Sequence, residues 1–526
     1  MLRSEMLRQL DETGEWDIII IGGGATGLGS AVDAASRGYK TLLLERYDFG
    51  KGTSSRATKL VHGGVRYLAQ GNIKLVREAL KERGILLQNA PHLTRIQPFV
   101  LPVYSWWQKL MYGTGLRIYD LMSGKRSIGK TALLSKKETS ERLPALNTEK
   151  LKGGILYYDG QFDDARLALC LAQTAAEQGA AVLNYMEVVD LVKENGIVKG
   201  VIAEDLFTGN EFELKAKVVV NATGVFVDDI LQMDDENQRP IVSPSQGIHF
   251  VVDRKFFPGT DALMIPKTDD GRVLFAVPWQ QHVIIGTTDT AVQHIDFEPR
   301  PLEMEIAFIF RNINRYLNSG ITEKDVKAVF AGLRPLVKAS GKKNTAMMRR
   351  DHTIVVSKSK LVTITGGKWT TYRKMAKDAV DNAIFTGRLS RKSCVTESLP
   401  LYGATTSIRD IPAALYTYGA AADAIKALMN ADPVLSGKIH PNHPYTKAQV
   451  VWAVRNEMAM TVEDVLARRM RLLFLDAKDA MEAAPVAAAV MAAEMGKDDG
   501  WIQKQITSFG AVAQGYLIND RPFSDK

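Results

Sequence analysis

The chain has 526 residues, 46% hydrophobic and 24% charged, an ordinary globular composition that is too long for one simple domain and sufficient for a sizeable core. Sixty-seven basic against 59 acidic side chains leave +8, too mild for a dedicated nucleic-acid binder but compatible with anionic small substrates or lipid surfaces. Two cysteines, Cys170 and Cys394, exclude a disulfide scaffold, a Cys-ligated zinc and a protein-held iron–sulfur cluster, and point to a reduced, cytosolic-side environment. Glu5, Asp11 and Glu12 without an apolar run argue against a signal peptide, and the Ala-rich stretch 483–493 is too short to span a bilayer.

In chain order, the apolar run Asp17-Ile18-Ile19-Ile20-Ile21 ends in glycines and reads as a strand buried on both faces. A small-residue helix follows and stops at Gly38; residues 41–45 then supply a second strand, completing a βαβ opening. Ile73, Val76, Leu80 and Leu87 mark a helix with Asn72 as its N-cap, and Asp163 caps another over 165–178. Residues 218–220 form a short apolar strand. Short β-rich runs at 249–253, 263–266, 273–278 and 283–287, with turns at Asp270-Gly271 and Gln280-Gln281, predict an inserted antiparallel sheet. Residues 361–365 return as a buried strand, followed by glycines and a helix from Thr370. Beyond about residue 396 the chain turns Ala-, Met- and Leu-rich with helical periodicity.

Gly22-Gly23-Gly24-Ala25-Thr26-Gly27 is a G-x-G-x-x-G between strand and helix. Gly22 makes the tight turn, Gly24 lets a pyrophosphate approach the backbone, and Gly27 allows close helix–strand packing. Glu45, at the end of the second strand, is placed to accept ribose hydroxyl bonds, so a dinucleotide is expected. Asn221-Ala222-Thr223-Gly224 looks like the second segment that flavoproteins set near the adenine half of FAD. Thr53, Ser54 and Ser55 suit a pyrophosphate or ribityl chain, and the glycines of His62-Gly63-Gly64 let backbone approach a flat ring. Arg66, in the same stretch, is a planar fork suited to phosphate. Gly366-Gly367-Lys368 with Thr370 resembles a P-loop only superficially, since Val362 and Trp369 break that pattern; a strand–Gly–Gly–helix turn instead aims N–H groups at an anionic locus such as the flavin N1/C2 carbonyl edge. Arg334, between Gly332-Leu333 and Pro335, is expected in a rigid turn. His249 opens the first strand of the inserted sheet. His440 and His443 flank Pro-Asn and are expected to face solvent; no metal spacing is evident among the eight histidines.

Together these stretches (18–27, 53–68, 163–167, 221–224, 286–289, 332–336 and 366–373) closely resemble the FAD-dependent glycerol-3-phosphate dehydrogenases, within the glycine/D-amino-acid-oxidase fold group. The resemblance implies a discontinuous Rossmann-like α/β FAD-binding domain (1–94, 150–244 and 345–395), an inserted antiparallel β-rich substrate or cap domain (95–149 and 245–344) and an α-helical C-terminal domain (396–526). It further implies oxidation of sn-glycerol 3-phosphate to dihydroxyacetone phosphate, with the C2 hydrogen leaving as hydride to flavin N5. Carried over by motif, Arg66, Tyr67, Arg334, Lys368 and His249 line the substrate site. His249, with a side-chain pKa naturally near neutrality, is the preferred base; Arg66 and Arg334 hold the phosphate; Lys368 stabilises negative charge on the reduced flavin. Family members pass electrons to membrane quinone, and the long insertion of the oxygen-using oxidase branch is missing. A glycerol-3-phosphate oxidase making hydrogen peroxide is the nearest rival, an amine or amino-acid oxidase a more distant one. A non-catalytic flavin scaffold has no need of Arg334, Lys368 and His249 together. A homodimer is compatible with this reading, and no metal is called for.

Where the charge sits adds a location. Residues 95–130 carry six basic side chains against Asp120 alone, whereas 401–526 carry 13 basic and 14 acidic. Tyr104, Trp106, Trp107, Tyr112 and Tyr119 interleave with Lys109, Arg117, Lys125, Arg126 and Lys130, a composition suited to the headgroup layer of an anionic bilayer. The expectation is a peripheral enzyme on the inner face of the cytoplasmic membrane.

Overall fold

The computed structural model describes residues 1–68, 71–338, 352–407 and 411–518. Four consecutive isoleucines, 18 to 21, have no polar face to offer solvent, so the strand Trp16–Ile21 lies in the centre of a sheet. Ile20 sits opposite Val220 on one side and Leu43 on the other, both in parallel register. The sheet runs His352–Val356, Val362–Gly366, Glu211–Asn221, Trp16–Ile21, Thr41–Leu44, Ala181–Leu183, with only the first strand of this path antiparallel to its neighbour. Helices Ala25–Ser36 and Tyr372–Thr386 cross closely, because Gly29 presents no Cβ to Tyr372 and Ala376. Asn72 and Asp163 cap their helices as expected, accepting from the Leu75 and Arg166 amides. This is the Rossmann-like α/β architecture that the sequence predicts.

The second sheet is mostly antiparallel and has ten strands among the described residues. Its centre is the expected set, Val242–Asp253, His282–Gly286, Leu274–Trp279 and Ala262–Ile265. It also recruits Thr94–Val103, Gly153–Phe162 and Leu60–Val61, so two of its strands come from outside the cap segments 95–149 and 245–344. Arg334 lies within strand Val326–Val337, opposite Ser245, rather than in a turn. Pro335 is accommodated there because the strand is at the sheet's edge, paired only to Val242–Asp253.

The C-terminal helices Lys447–Asn456, Ala477–Met495 and Asp499–Gln514 share one apolar core with Val251, Ile284 and Phe330 of the cap sheet. Toward the Rossmann-like domain the contact is ionic. The wide helical turn Asp464–Arg469 and the residues after it send Arg468 and Arg469 to Asp48, and Arg471 to Asp164 and the Ser55 carbonyl. All are buried. Among the described residues no helix is long and apolar enough to cross a membrane.

Candidate active site

The first cleft opens where strand Trp16–Ile21 meets helix Ala25–Ser36, and holds about 240 Å³. Gly22 has φ +109°, and a Cβ there would lie 2.8 Å from the Ala222 carbonyl oxygen. A Cβ on Gly27 would come within 1.8 Å of the Gly22 oxygen, so Gly27 serves helix–strand packing and does not face the cleft. The lining includes Gly22, Gly24, Glu45, Thr53, Ser54, Ala222, Thr223, Gly224, Gly366 and Gly367. Ser54 Oγ accepts from the Ala25 amide (2.9 Å), and the Glu45 carboxylate accepts from Gly23 (2.6 Å) and Tyr47 (2.9 Å). A long groove with a helix N-terminus at its middle and a carboxylate beside the second strand fits a dinucleotide. Ser55 departs from expectation: it is buried, its hydroxyl donates to Gly52 O, and its carbonyl accepts from Lys59 and Arg471.

The second cavity, about 330 Å³, shares Thr53, Pro335, Gly367, Lys368 and Trp369 with the first. The two spaces therefore meet at the Gly367–Lys368 turn, where both Gly366 (φ +85°) and Gly367 (φ +73°) need left-handed backbone. Trp369 fixes the turn by donating from Nε1 to the Ser54 carbonyl (2.9 Å). His62, Gly64 and Thr370 line the cavity, and the His62 amide donates to Thr370 Oγ1 (3.1 Å). Gly63 does not line either space. Its amide donates to Tyr119 Oη (2.7 Å) and Asp159 (3.3 Å), and a Cβ would strike Leu80 and Tyr119. The Arg66 and Tyr67 side chains lie outside the described residues; their backbone forms the short helix Val65–Leu68.

Arg334 enters the cavity from its strand. Nη1 donates to Gln246 O (3.2 Å) and Asp289 (3.3 Å), and Nη2 to Thr287 Oγ1 (3.1 Å) and Thr288 O (2.9 Å). Such a guanidinium is held in place before any ligand arrives. His249 lies beside it, stacked on Phe330 at 4.9 Å between ring centres, with Nε2 2.9 Å from Thr58 Oγ1. Burial, then the charges of Lys59 and Arg334, hold the His249 imidazole well below its ordinary pKa, so it is neutral at pH 7.

Sequence reasoning missed Thr58, Thr287 and Asp289 as site residues, although 286–289 stood out as a stretch; it also missed Arg272, another cation of the cavity wall. Lys59, with φ +63°, stands behind the wall, bonded to Asp164 (2.7 Å) and over the Phe330 ring. Burial pulls its ammonium down to about 7 in spite of Asp164.

Comparison with known proteins agrees with this geometry. The family model "FAD dependent oxidoreductase" matches residues 17–373, and that for the C-terminal domain of alpha-glycerophosphate oxidase matches 362–501. The chain is 43% identical over 526 residues to the probable mitochondrial glycerol-3-phosphate dehydrogenase of Caenorhabditis elegans, covering 94% of this chain and 72% of that protein. It is 40% identical to the human mitochondrial glycerol-3-phosphate dehydrogenase, covering 100% of this chain and 77% of the human one. The solved structure of the glycerol-3-phosphate dehydrogenase from Bacillus halodurans complexed with FAD superposes with a TM-score of 0.82 at 29% identity, over 99% of each chain. The L-alpha-glycerophosphate oxidase of Mycoplasma pneumoniae, at 18% identity and a TM-score of 0.56, shares the fold. A cleft of this form, and relatives of this identity over this much of their length, make the chain an FAD-dependent oxidoreductase that belongs to the glycerol-3-phosphate dehydrogenase family.

Proposed function

We propose that the chain oxidises sn-glycerol 3-phosphate to dihydroxyacetone phosphate and delivers the electrons to a quinone in the membrane. The observation that carries this reading is the shared wall at Thr53, Pro335 and residues 367–369, which opens a cavity bearing a fixed guanidinium onto the dinucleotide cleft. FAD, when bound, supplies a two-electron acceptor for the hydrogen at C2. Arg334, with Arg66, binds the phosphate and fixes the substrate's orientation. His249, neutral, takes the proton of the C2 hydroxyl. Its imidazolium is disfavoured by Lys59 and Arg334, and Thr58 Oγ1, 2.9 Å from Nε2, orients the ring. Lys368 and the glycine amides beside it stabilise negative charge at the flavin end of the cavity. In a steady-state assay, glycerol 3-phosphate with a soluble quinone analogue should sustain turnover, while glycerol should not. Turnover with oxygen alone at the same rate would favour the oxidase alternative.

The pH profile offers a check on the base. A group held neutral well below 6.5 stays available as pH falls, so kcat/KM should remain level from pH 8 to about 6. His249→Ala should lower kcat roughly 10²- to 10⁴-fold. An H249A enzyme with near-full turnover and an unchanged profile rules His249 out as base.

One exposed helix face supports the membrane reading. Helix Trp106–Ser123 buries Gly113, Leu116 and Tyr119 and leaves Trp107 79% and Leu121 80% exposed, with Trp106, Leu110, Met111 and Ile118 also outward. Lys109 and Arg117 lie on the same helix. An exposed apolar stripe beside cations suits insertion into the headgroup layer of an anionic bilayer. Tyr119 bonds both Gly63 and Asp159, tying this helix to the loop beside the substrate cavity. Replacing Trp107, Leu110 and Leu121 with serine should release the enzyme from anionic vesicles and spare flavin reduction. Retained vesicle binding would move the docking surface elsewhere.

A further inference from the structure

The histidines expected to face solvent are buried: His440 is 5% and His443 7% exposed. They lie on the loop closed by the bridge between Lys438 and Thr446, packed against the first turn of helix Ala477–Met495. Both turn toward the Asp479 carboxylate. His443 Nε2 is 2.8 Å from Asp479 Oδ2, and His440 Nδ1 is 3.6 Å from the same oxygen. One atom from each of the three residues fits within a sphere of contacts no wider than 4.8 Å.

Proton placement sets which lone pairs turn toward the cluster. His440 Nε2 lies 3.1 Å from Glu482 Oε2, a contact that requires the ring proton on Nε2. Nδ1 is correspondingly an acceptor, and takes a long bond (3.3 Å) from the Asn442 amide. In the neutral ring its lone pair therefore turns toward the Asp479 carboxylate, whose Oδ2 also meets His443 Nε2 and accepts from Asn442 Nδ2 (3.2 Å). A cation bound there would take the place of the two Asn442 bonds.

We propose that His440, His443 and Asp479 bind a divalent transition-metal ion of the zinc class. Two imidazoles and one carboxylate are borderline donors, suited to zinc, cobalt or nickel and poorly suited to magnesium or calcium, which favour all-oxygen sites. Tetrahedral coordination with bonds of about 2.0–2.2 Å sets ligand atoms roughly 3.3 Å apart. The observed 2.8 and 3.6 Å between each histidine and Asp479 bracket that spacing, and all three ligand atoms lie within 4.8 Å of one another. Glu482, holding the far nitrogen of His440, is the carboxylate partner that orients a ligating histidine. Binding places the His443 proton on Nδ1, freeing Nε2. Three protein ligands leave the fourth position to water. The His443 ring also lies parallel to His282, which opens strand His282–Gly286, so the ion would pin the helical domain where it meets the cap sheet.

The test uses the untagged, full-length holoenzyme stripped with a chelator and titrated with zinc sulfate by calorimetry, then with cobalt(II) by visible absorption. The expected result is one ion per chain, a tetrahedral cobalt spectrum and a higher melting temperature with zinc. Asp479→Asn and His443→Gln should each weaken binding on the order of a hundredfold, and Glu482→Gln about tenfold, with flavin content and flavin reduction unchanged. Should one of the ligand variants fail to fold, the other carries the test. No binding by the parent chain, or binding of the same strength in the ligand variants, overturns the proposal.

Discussion

Replacing Arg334 with methionine should lower kcat/KM for glycerol 3-phosphate by roughly a thousandfold, about 4 kcal/mol at 1.36 kcal/mol per tenfold. Two effects act in the same direction. The doubly charged phosphate loses a fixed positive charge at the cavity wall, a loss that costs about 2–5 kcal/mol. Asp289, which Arg334 partly neutralises, then faces the incoming phosphate as a like charge. Arg334→Lys keeps the charge but cannot reproduce four bonds from one planar fork, and should recover only part of the loss. Both variants should retain flavin, because Arg334 does not line the dinucleotide cleft. Steady-state kinetics with flavin content measured in parallel would check this; an R334M enzyme within tenfold of the parent would remove Arg334 from phosphate binding.

A comparable effect on stability should follow from Asp48→Asn. Asp48 is fully buried and receives both Arg468 and Arg469 from the C-terminal domain. The substitution leaves the buried Arg469 guanidinium without its ion pair and Arg468 with Glu463 and Asp464 alone, a change that costs about 3–5 kcal/mol. Asp48 lies two residues before the loop that lines the dinucleotide cleft from Gly50 onward, so loss of FAD should accompany the loss of stability. The pH dependence has a defined sign. Burial alone would raise the Asp48 carboxyl, but Arg469 and Arg468 beside it bring it below its ordinary value. Its contribution is present above the unfolded pKa of about 4 and is lost as pH falls through the lower folded value. Denaturant melts of D48N at pH 7, read by fluorescence and by flavin release, should show the early transition. A midpoint within error of the parent would mean that the helical domain does not brace the cofactor loop.

What the sequence makes legible is whatever its neighbours in the chain determine. Gly22 and Gly27 announce themselves because the backbone around them leaves no room for a Cβ, and Asn72 and Asp163 because a cap acts within one helical turn. Arg334 misleads because its neighbour is Pro335, which reads as a turn unless the strand is known to lie at an edge. Helix Trp106–Ser123 carries two glycines and several aromatics and points much of its apolar surface outward, so its periodicity does not mark a buried face. The strand Gly153–Phe162 owes its place to Thr94–Val103, a partner nearly sixty residues away.

Within the site, the residues in motifs were legible as members and not as geometry. Thr53, Ser54 and Ser55 read alike, yet Ser55 turns into the protein, where Lys59 and Arg471 hold its carbonyl. His440 and His443 read as polar loop residues because Asp479, which they face, comes 36 residues after the second of them. Arg468, Arg469 and Arg471 sit among apolar neighbours with nothing local to indicate that Asp48, Asp163 and Asp164 await them across a domain boundary.

Glycerol 3-phosphate should meet the flavin in the cavity shared by Arg334, His249 and Lys368. Anaerobic mixing of the purified holoenzyme with one equivalent of sn-glycerol 3-phosphate, followed by the visible flavin band, tests it most directly. The expected result is complete bleaching by glycerol 3-phosphate, none by glycerol, and bleaching slowed by orders of magnitude in R334M and H249A. A flavin that stays oxidised with glycerol 3-phosphate, or bleaches equally with glycerol, contradicts it.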